Sequence, residues 1–353
     1  MTARMTPSER RNGGAATDTT MKKLLNQPAD VVQDYLAGLA AAHSDILRFD
    51  KDDQFVVRSD APVAGKVGIV AAGGSGCEPL HTGFVGPGML DVAVAGQVFT
   101  SPVPRQIMAA TRAVDGGAGV LHVIKNFPGE VMNFGITEEI LSFEDIEIES
   151  VLINDDVAVE DVPGTAGRRG LGATVLVEKI AGASAERGQS LSQVKAIAER
   201  VNSRARTLGV GLSSCTPPLR GRPIFELPDG EIELGIGISG EPGSERVPMK
   251  TASELAELLL DKVLTDLRPA TGARLLVLVN GMGGTPDSEL YLLYGQIHER
   301  LTSSGFDPVR RLVGSYVTSL DQIGTALTIL EFDDEMIELW DEPVHSQALR
   351  WKV

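Results

Sequence analysis

The chain has 353 residues, of which 42% are hydrophobic and 23% charged, and a formal net charge of −16. The length suggests two domains, and the composition is that of a soluble globular protein with no apolar run near the ~18 residues a membrane span needs. The acidic balance argues against nucleic acid and anionic membrane as partners, and two distant cysteines, Cys77 and Cys215, suggest neither a disulfide framework nor a CxxC metal site, so a cytoplasmic protein is expected.

Residues 1–20 are polar and lack the apolar core of a signal peptide, which predicts a disordered tail; the stretch beginning at Met21 reads like a natural start. Val31, Val32, Tyr35, Leu36, Leu39 and Ala40 recur at helical spacing after Pro28, predicting an amphipathic helix. Short apolar runs follow at 67–72, 90–95, 120–124 and 151–153, separated by Gly/Pro-rich or helix-like segments. Such runs are the pattern of buried parallel strands.

Residues 174–187 and 190–208 read as helices, the first opening with a β-rich run. In 231–239 the pattern alternates strictly, with Ile232, Leu234, Ile236 and Ile238 on one face and Glu233, Gly235, Gly237 and Ser239 on the other. This predicts a strand of a sheet covered mainly on one side. Further strands are expected at 274–279, 311–316 and 325–332, with a helix over 286–303 stopping at Gly305. The expected architecture is a two-domain α/β protein: a parallel-sheet α/β domain over 21–205, then an α+β domain with a mixed sheet over 206–353.

Three stretches carry candidate chemistry. Gly73-Gly74-Ser75-Gly76 follows the first apolar run, where glycines let backbone N–H groups approach a ligand; a plain strand-to-helix turn explains it equally well. It matches neither the GxGxxG nor the GxxxxGK[ST] pattern, so no nucleotide site is implied. Lys125-Asn126-Phe127-Pro128-Gly129-Glu130 places a cation to hold an oxygen and a carboxylate to take a hydroxyl proton just past another strand, unless it is a solvated loop with a surface ion pair. Ser239, before Gly240-Glu241-Pro242-Gly243, points into a site or is a serine bonded to backbone. The five histidines show no metal spacing, and His122, inside an apolar run, reads as a core histidine.

Several stretches are more specific together: "KVGIVAAGGSGCEPLHTGFVGPGMLDVAVAGQVFTSPVPRQI", "VDGGAGVLHVIKNFPGEVMNFG", "INDDVAV", "TAGRRGLGATVLVEKIAGASAERG", "ELGIGISGEPG" and "TSLDQIGTALTILEFDDEMIELWDEPVH". In this order, from about Met21 to the C-terminus, they resemble the dihydroxyacetone kinase substrate-binding subunit family. The resemblance implies a homodimer that binds a short-chain ketose and holds no cofactor itself. ATP or ADP with Mg would sit on a separate helical nucleotide-binding kinase subunit, since no helical nucleotide domain follows "PVHSQALRW".

The resemblance assigns substrate contacts to Gly73, Gly74, Ser75, Gly76 and Lys125. Three positions depart from the family. Cys77 stands where GGGSGHEP has histidine, Glu130 where KNYxGD has the proton-accepting aspartate, and Ser239 where GIHGEPG has the histidine that forms a covalent hemiaminal. Ser239 cannot form that bond, and a Cys77 adduct would need its thiol pKa of about 8.5 lowered by Lys125 or a helix N-terminus. The expectation is a kinase subunit that holds a ketose, polyol or sugar acid non-covalently, with Glu130 as base and Cys77 and Ser239 shaping selectivity; phosphoryl transfer needs mainly positioning. The rival expectation is a non-catalytic ligand sensor or regulator. A third, acid–base isomerisation or aldol chemistry by Cys77 and Glu130, has no positive sequence support.

Overall fold

The apolar runs of the first half form one sheet buried on both faces. The computed structural model describes residues 22–160 and 165–353, so the tail expected over 1–20 lies outside the described residues. Helix α1 (Val31–Ala42) leads into β1 (Leu47–Asp50), β2 (Phe55–Arg58), β3 (Gly68–Ser75), β4 (Val92–Val98), α2 (Pro104–Val114), β5 (Val120–Lys125), α3 (Pro128–Leu141) and β6 (Ile148–Ile153). The strand order is β1-β2-β4-β3-β5-β6, parallel from β4 through β6 with β1 and β2 antiparallel at one end. Side chains alternate across the sheet. Val70 and Ala72 pack with Ile107, Ala110 and Val114 of α2 and Phe134 of α3, whereas Ile69 and Ala71 face the opposite core.

That opposite core is built around α4 (Ala173–Glu186), followed by α5 (Leu191–Ser203). All but one residue of α4 is buried, from Ala173 to Ala185. The chain continues through β7 (Ala205–Gly211), β8 (Glu231–Leu234), β9 (Glu245–Pro248), α6 (Ala252–Leu267), β10 (Arg274–Gly281), α7 (Asp287–Ser303), β11 (Asp307–Gly314), β12 (Gly324–Glu331) and α8 (Asp334–Trp340). These strands form a mixed sheet, β11-β10-β12-β7-β8-β9, with only β10–β11 parallel. Its inner face, including Leu276, Leu278 and Leu330, shares the α4 core, and its outer face packs Val277, Val279 and Leu327 against α6 and α7. Helix α4 is therefore a middle layer sealed between two sheets, and the two-domain α/β expectation holds.

Local expectations failed at four places. The second sheet, expected to be covered mainly on one side, is buried on both faces, by the α4 core within and by α6 and α7 outside. The helix expected over 190–208 ends at Ser203, because beyond Val201 the buried apolar positions switch to the two-residue spacing of Leu208 and Val210 in β7. The alternation over 231–239 is not one strand. Gly235 takes φ +77 and ends β8 at Leu234. Ile232 and Leu234 thus enter the outer core while Ile236 and Ile238 enter the inner one. The glycine run, expected to be a turn after residue 72, is strand as far as Ser75.

Candidate active site

The end of β3 is flanked unequally. Its ladder with β4 continues to Ser75↔Val98, but its ladder with β5 stops at Ala71↔Val123. From Ala72 onward, the edge toward β5 lacks a strand partner, and the side chains at the end of β5 gather there. Not all of the glycine run is free for a ligand. The N–H of Gly76 (φ +104) donates to both carboxylate oxygens of Glu78, at 2.9 and 3.0 Å, and Ser75 Oγ donates to Gly96 O at 2.7 Å. Gly74 lies tight against the following turn, where a Cβ would stand 2.6 Å from Thr100 N.

The loop is stitched to the second half of the chain. Leu320 N donates to Gly76 O at 2.7 Å, Thr318 N to Cys77 O at 3.1 Å, and Thr318 Oγ1 to Glu78 O at 2.8 Å. Phe99, with φ +55, wedges its ring between two glycine turns: a Cβ at Gly76 would stand 2.7 Å from Cε1 and one at Gly240 3.0 Å from Cε2. A bulky residue in the left-handed region is a strained conformation that the surroundings must enforce.

Beneath this loop lies a buried ionic cluster. Lys125 ends β5, and Glu130 is the third residue of α3, whose first residue is Pro128. Proline suits that first position, and the positive end of the helix dipole favours a carboxylate in the first turn. Lys125 is 3% exposed and Glu130 4%. Lys125 Nζ donates to Glu130 Oε1 at 2.8 Å and Oε2 at 3.0 Å, and its third bond goes to His81 Nε2 at 2.7 Å. This is no solvated ion pair. Gly73 roofs the junction, where a Cβ would stand 2.5 Å from Lys125 Nζ and 3.1 Å from both Glu130 Oε1 and His81 Nε2. Burial pushes the Glu130 carboxyl up from its ordinary range while Lys125 pulls it back, which makes it a stronger proton acceptor than a solvated carboxylate.

Beside this cluster Cys77 meets the backbone just before Ser239. Cys77 Sγ donates to Ile238 O at 3.1 Å, and Ser239 N donates to Glu241 Oε2 at 2.9 Å. Arg169 holds that turn by donating to Glu241 Oε1 at 3.1 Å and Gly235 O at 2.7 Å. Lys125 and Glu130 lie close enough to Cys77 to act on its charge, but burial dominates and raises the thiol well above its ordinary range. The activation that a Cys77 adduct would need is not provided: the side chain is a neutral thiol spent on a backbone carbonyl.

The structure thus draws Gly73, Cys77, Lys125 and Glu130 together, with Ser239 next to the carbonyl that Cys77 binds. Ser75 and Gly76 instead help line a cavity of about 210 Å³ on the α1 side, with Val31, Tyr35 and Leu320. Sequence reasoning missed His81, whose Nδ1 lies 2.5 Å from Glu178 Oε1, and missed Glu178 and Arg169. The available signal was Glu178-Lys179, two charges inside the otherwise apolar stretch 175–183. His122 is the core histidine expected, bonded to Thr111 Oγ1 and Glu138 Oε1 at 3.0 Å each. Among the described residues, no three His, Cys, Asp or Glu side chains converge to hold a metal ion.

Residues 37–348 match the family model described as the Dak1 domain. The chain is 47% identical over 329 residues to the dihydroxyacetone-binding subunit of PTS-dependent dihydroxyacetone kinase 1 from Listeria innocua, covering 93% of this chain and 100% of that one. It is 42% identical over 355 residues to the dihydroxyacetone-binding subunit of the PEP-dependent dihydroxyacetone kinase of Escherichia coli, covering 94% and 99%. Among solved structures, it superposes on a dihydroxyacetone kinase operon co-activator with TM-score 0.85 and 29% identity, covering 92% of this chain and 98% of that one. It also superposes on the C. freundii dihydroxyacetone kinase in complex with AMP-PNP and Mg2+, with TM-score 0.81 and 33% identity, covering 92% and 60%.

Proposed function

This chain belongs to the Dak1 family, and from that membership we propose that it is the substrate-binding subunit of a dihydroxyacetone-kinase-like phosphotransferase. It takes a small ketose, polyol or sugar acid and presents a hydroxyl to a helical partner that carries the nucleotide. The observation that carries this reading is the buried Lys125–Glu130 pair under Gly73, at the unpaired edge of β3. A substrate hydroxyl enters by replacing one Lys125–Glu130 hydrogen bond. Lys125 then holds the oxygen and Glu130 accepts its proton as the new O–P bond forms and the donor's P–O bond breaks. Excluding water strengthens both interactions, and such transfer needs chiefly alignment and charge stabilisation. The nucleotide supplies the phosphoryl group when bound to the partner.

Binding is non-covalent, because Ser239 offers no imidazole and Cys77 is a neutral thiol. Reconstituted with a nucleotide-bearing helical subunit, Glu130→Gln should lower turnover at least about 100-fold while the ligand-induced thermal shift persists. Turnover within twofold of wild type would refute the role. Intact mass after incubation with dihydroxyacetone should show no retained adduct.

A second reading, a ligand-sensing regulator, is favoured by the similarity to an operon co-activator. Dihydroxyacetone binding without transfer to or from every helical subunit tried would select it. We further propose a homodimer acting in the cytoplasm, divided into units near residue 205, where β7 begins. Among the described residues no helix is long and apolar enough to cross a membrane.

A further inference from the structure

Behind the Lys125–Glu130 pair lies a second pair that the reaction above does not use. His81 is 4% exposed and Glu178 0%, and Glu178 sits in the middle of α4, a helix sealed between the two sheets. Burying a carboxyl there is costly, and this one is satisfied at one oxygen only: Oε1 lies 2.5 Å from His81 Nδ1, while Oε2 is buried with no hydrogen-bond partner. An apolar residue would serve the core better.

The hydrogen bonds assign the protons. Lys125 is flanked by both oxygens of Glu130 and by His81 Nε2, three acceptors for the three N–H groups of an ammonium. Nε2 must therefore be bare. A neutral imidazole then carries its proton on Nδ1, where Glu178 Oε1 accepts it. The groups facing the imidazole are Lys125 from β5, Glu130 from α3, Glu178 from α4 and the Gly73 backbone of β3. Burial, with Lys125 adding to it, holds the imidazole well below its ordinary range and so neutral.

We propose that Glu178 is a positioning residue for Lys125 and acts through His81, by fixing the tautomer that leaves Nε2 free to accept from the ammonium. When a substrate oxygen displaces one Glu130 oxygen, the His81 bond keeps Nζ in place. Without an acceptor at position 178 the imidazole proton is free to move to Nε2, where it faces the ammonium donor to donor, and Lys125 loses its third anchor.

The test is long-range 1H–15N NMR of His81 in the full chain, paired with calorimetric titration of dihydroxyacetone. Wild type should show the Nδ1–H tautomer. Glu178→Gln retains a carbonyl acceptor and should keep both that tautomer and an affinity within twofold. Glu178→Leu should lose the tautomer and bind about tenfold more weakly, the worth of one hydrogen bond to a charged group. Should Glu178→Leu fail to fold, His81→Gln decides: its amide accepts from Lys125 and donates to Glu178, so it should bind dihydroxyacetone like wild type, whereas His81→Leu should not. A wild-type His81 protonated on Nε2 or on both nitrogens, an unchanged tautomer in Glu178→Leu, or equal loss in His81→Gln and His81→Leu would overturn the proposal. The affinity arm rests on the ketose-site reading, but the tautomer arm does not. Absence of dihydroxyacetone binding with the expected tautomers would count against the ketose reading alone.

Discussion

The cluster around Asp91 and the cluster around Glu178 both bury a carboxyl among ionisable groups, and they are settled in opposite ways. Asp91 Oδ1 accepts from Arg58 at 3.1 Å, and Oδ2 accepts from Lys66 at 2.6 Å and from Ile69 N at 2.8 Å. Arg58 passes on to Asp60, at 2.9 and 2.8 Å, and to Glu186, so the network ends in solvent. Glu178 has one neutral partner and one idle oxygen, with no route to water. A network with both carboxylate oxygens bonded clamps β2, β3 and β4 together as scaffold. One left incomplete in the interior is tolerated where it sets the state of a reacting group, because low dielectric magnifies both the gain and the penalty.

The strongest way to break this comparison is Asp91→Ala. It strands Arg58 and Lys66 without their shared buried counter-charge and should cost roughly 3 kcal/mol or more in urea unfolding, with dihydroxyacetone affinity at intact wild-type levels in the folded fraction. A loss under about 1 kcal/mol would mean that Asp91 is as dispensable as a surface pair. Gly73→Ala probes the other cluster from its roof. The added Cβ meets the flexible tip of Lys125 at 2.5 Å, so stability should fall by only about 1–2 kcal/mol while dihydroxyacetone affinity drops about tenfold. Loss of stability with unchanged affinity would separate Gly73 from the site.

The smallest effect sharpens the contrast through pH. Burial raises the Glu178 carboxyl well above its ordinary range, with Lys125 opposing. With Oε1 accepting from His81, the folded state therefore holds a proton on Oε2 that the unfolded chain releases near about pH 4.3. Between that pH and the folded value, Glu178 makes stability fall as pH rises. Glu178→Gln removes this component. The variant should match wild type near pH 4 and be the more stable of the two at pH 7, in urea titrations at both pH values. A variant less stable at pH 7 than at pH 4, relative to wild type, would show Glu178 stabilising as a carboxylate.

Much of this was legible along the chain. The runs at 67–72 and 120–124 became β3 and β5 because strands buried on both faces need no alternation, and 286–303 became α7 ending before Gly305 at φ +82. Lys125 and Glu130 were visible as a cation and an acid past a strand end. Their burial was not visible, because α3 folds Glu130 back onto Lys125 and Gly73, at the end of β3, covers both. The alternation at 231–239 misled because a period of two records only that residues are buried, not in which core; Gly235 sends its two halves to different ones.

By itself the sequence determined the type of the main core strands and helices, the α/β class and the family, since these follow from local periodicity and from residues close together in the chain. Only the tertiary structure decided that Glu178, 97 residues after His81, meets the imidazole at Nδ1 while Lys125 meets it at Nε2. It also decided that Cys77 donates across the interior to Ile238, 161 residues away. Protonation and nucleophilicity depend on desolvation and on partners within hydrogen-bond reach, and both are fixed only when α4 is closed between the sheets.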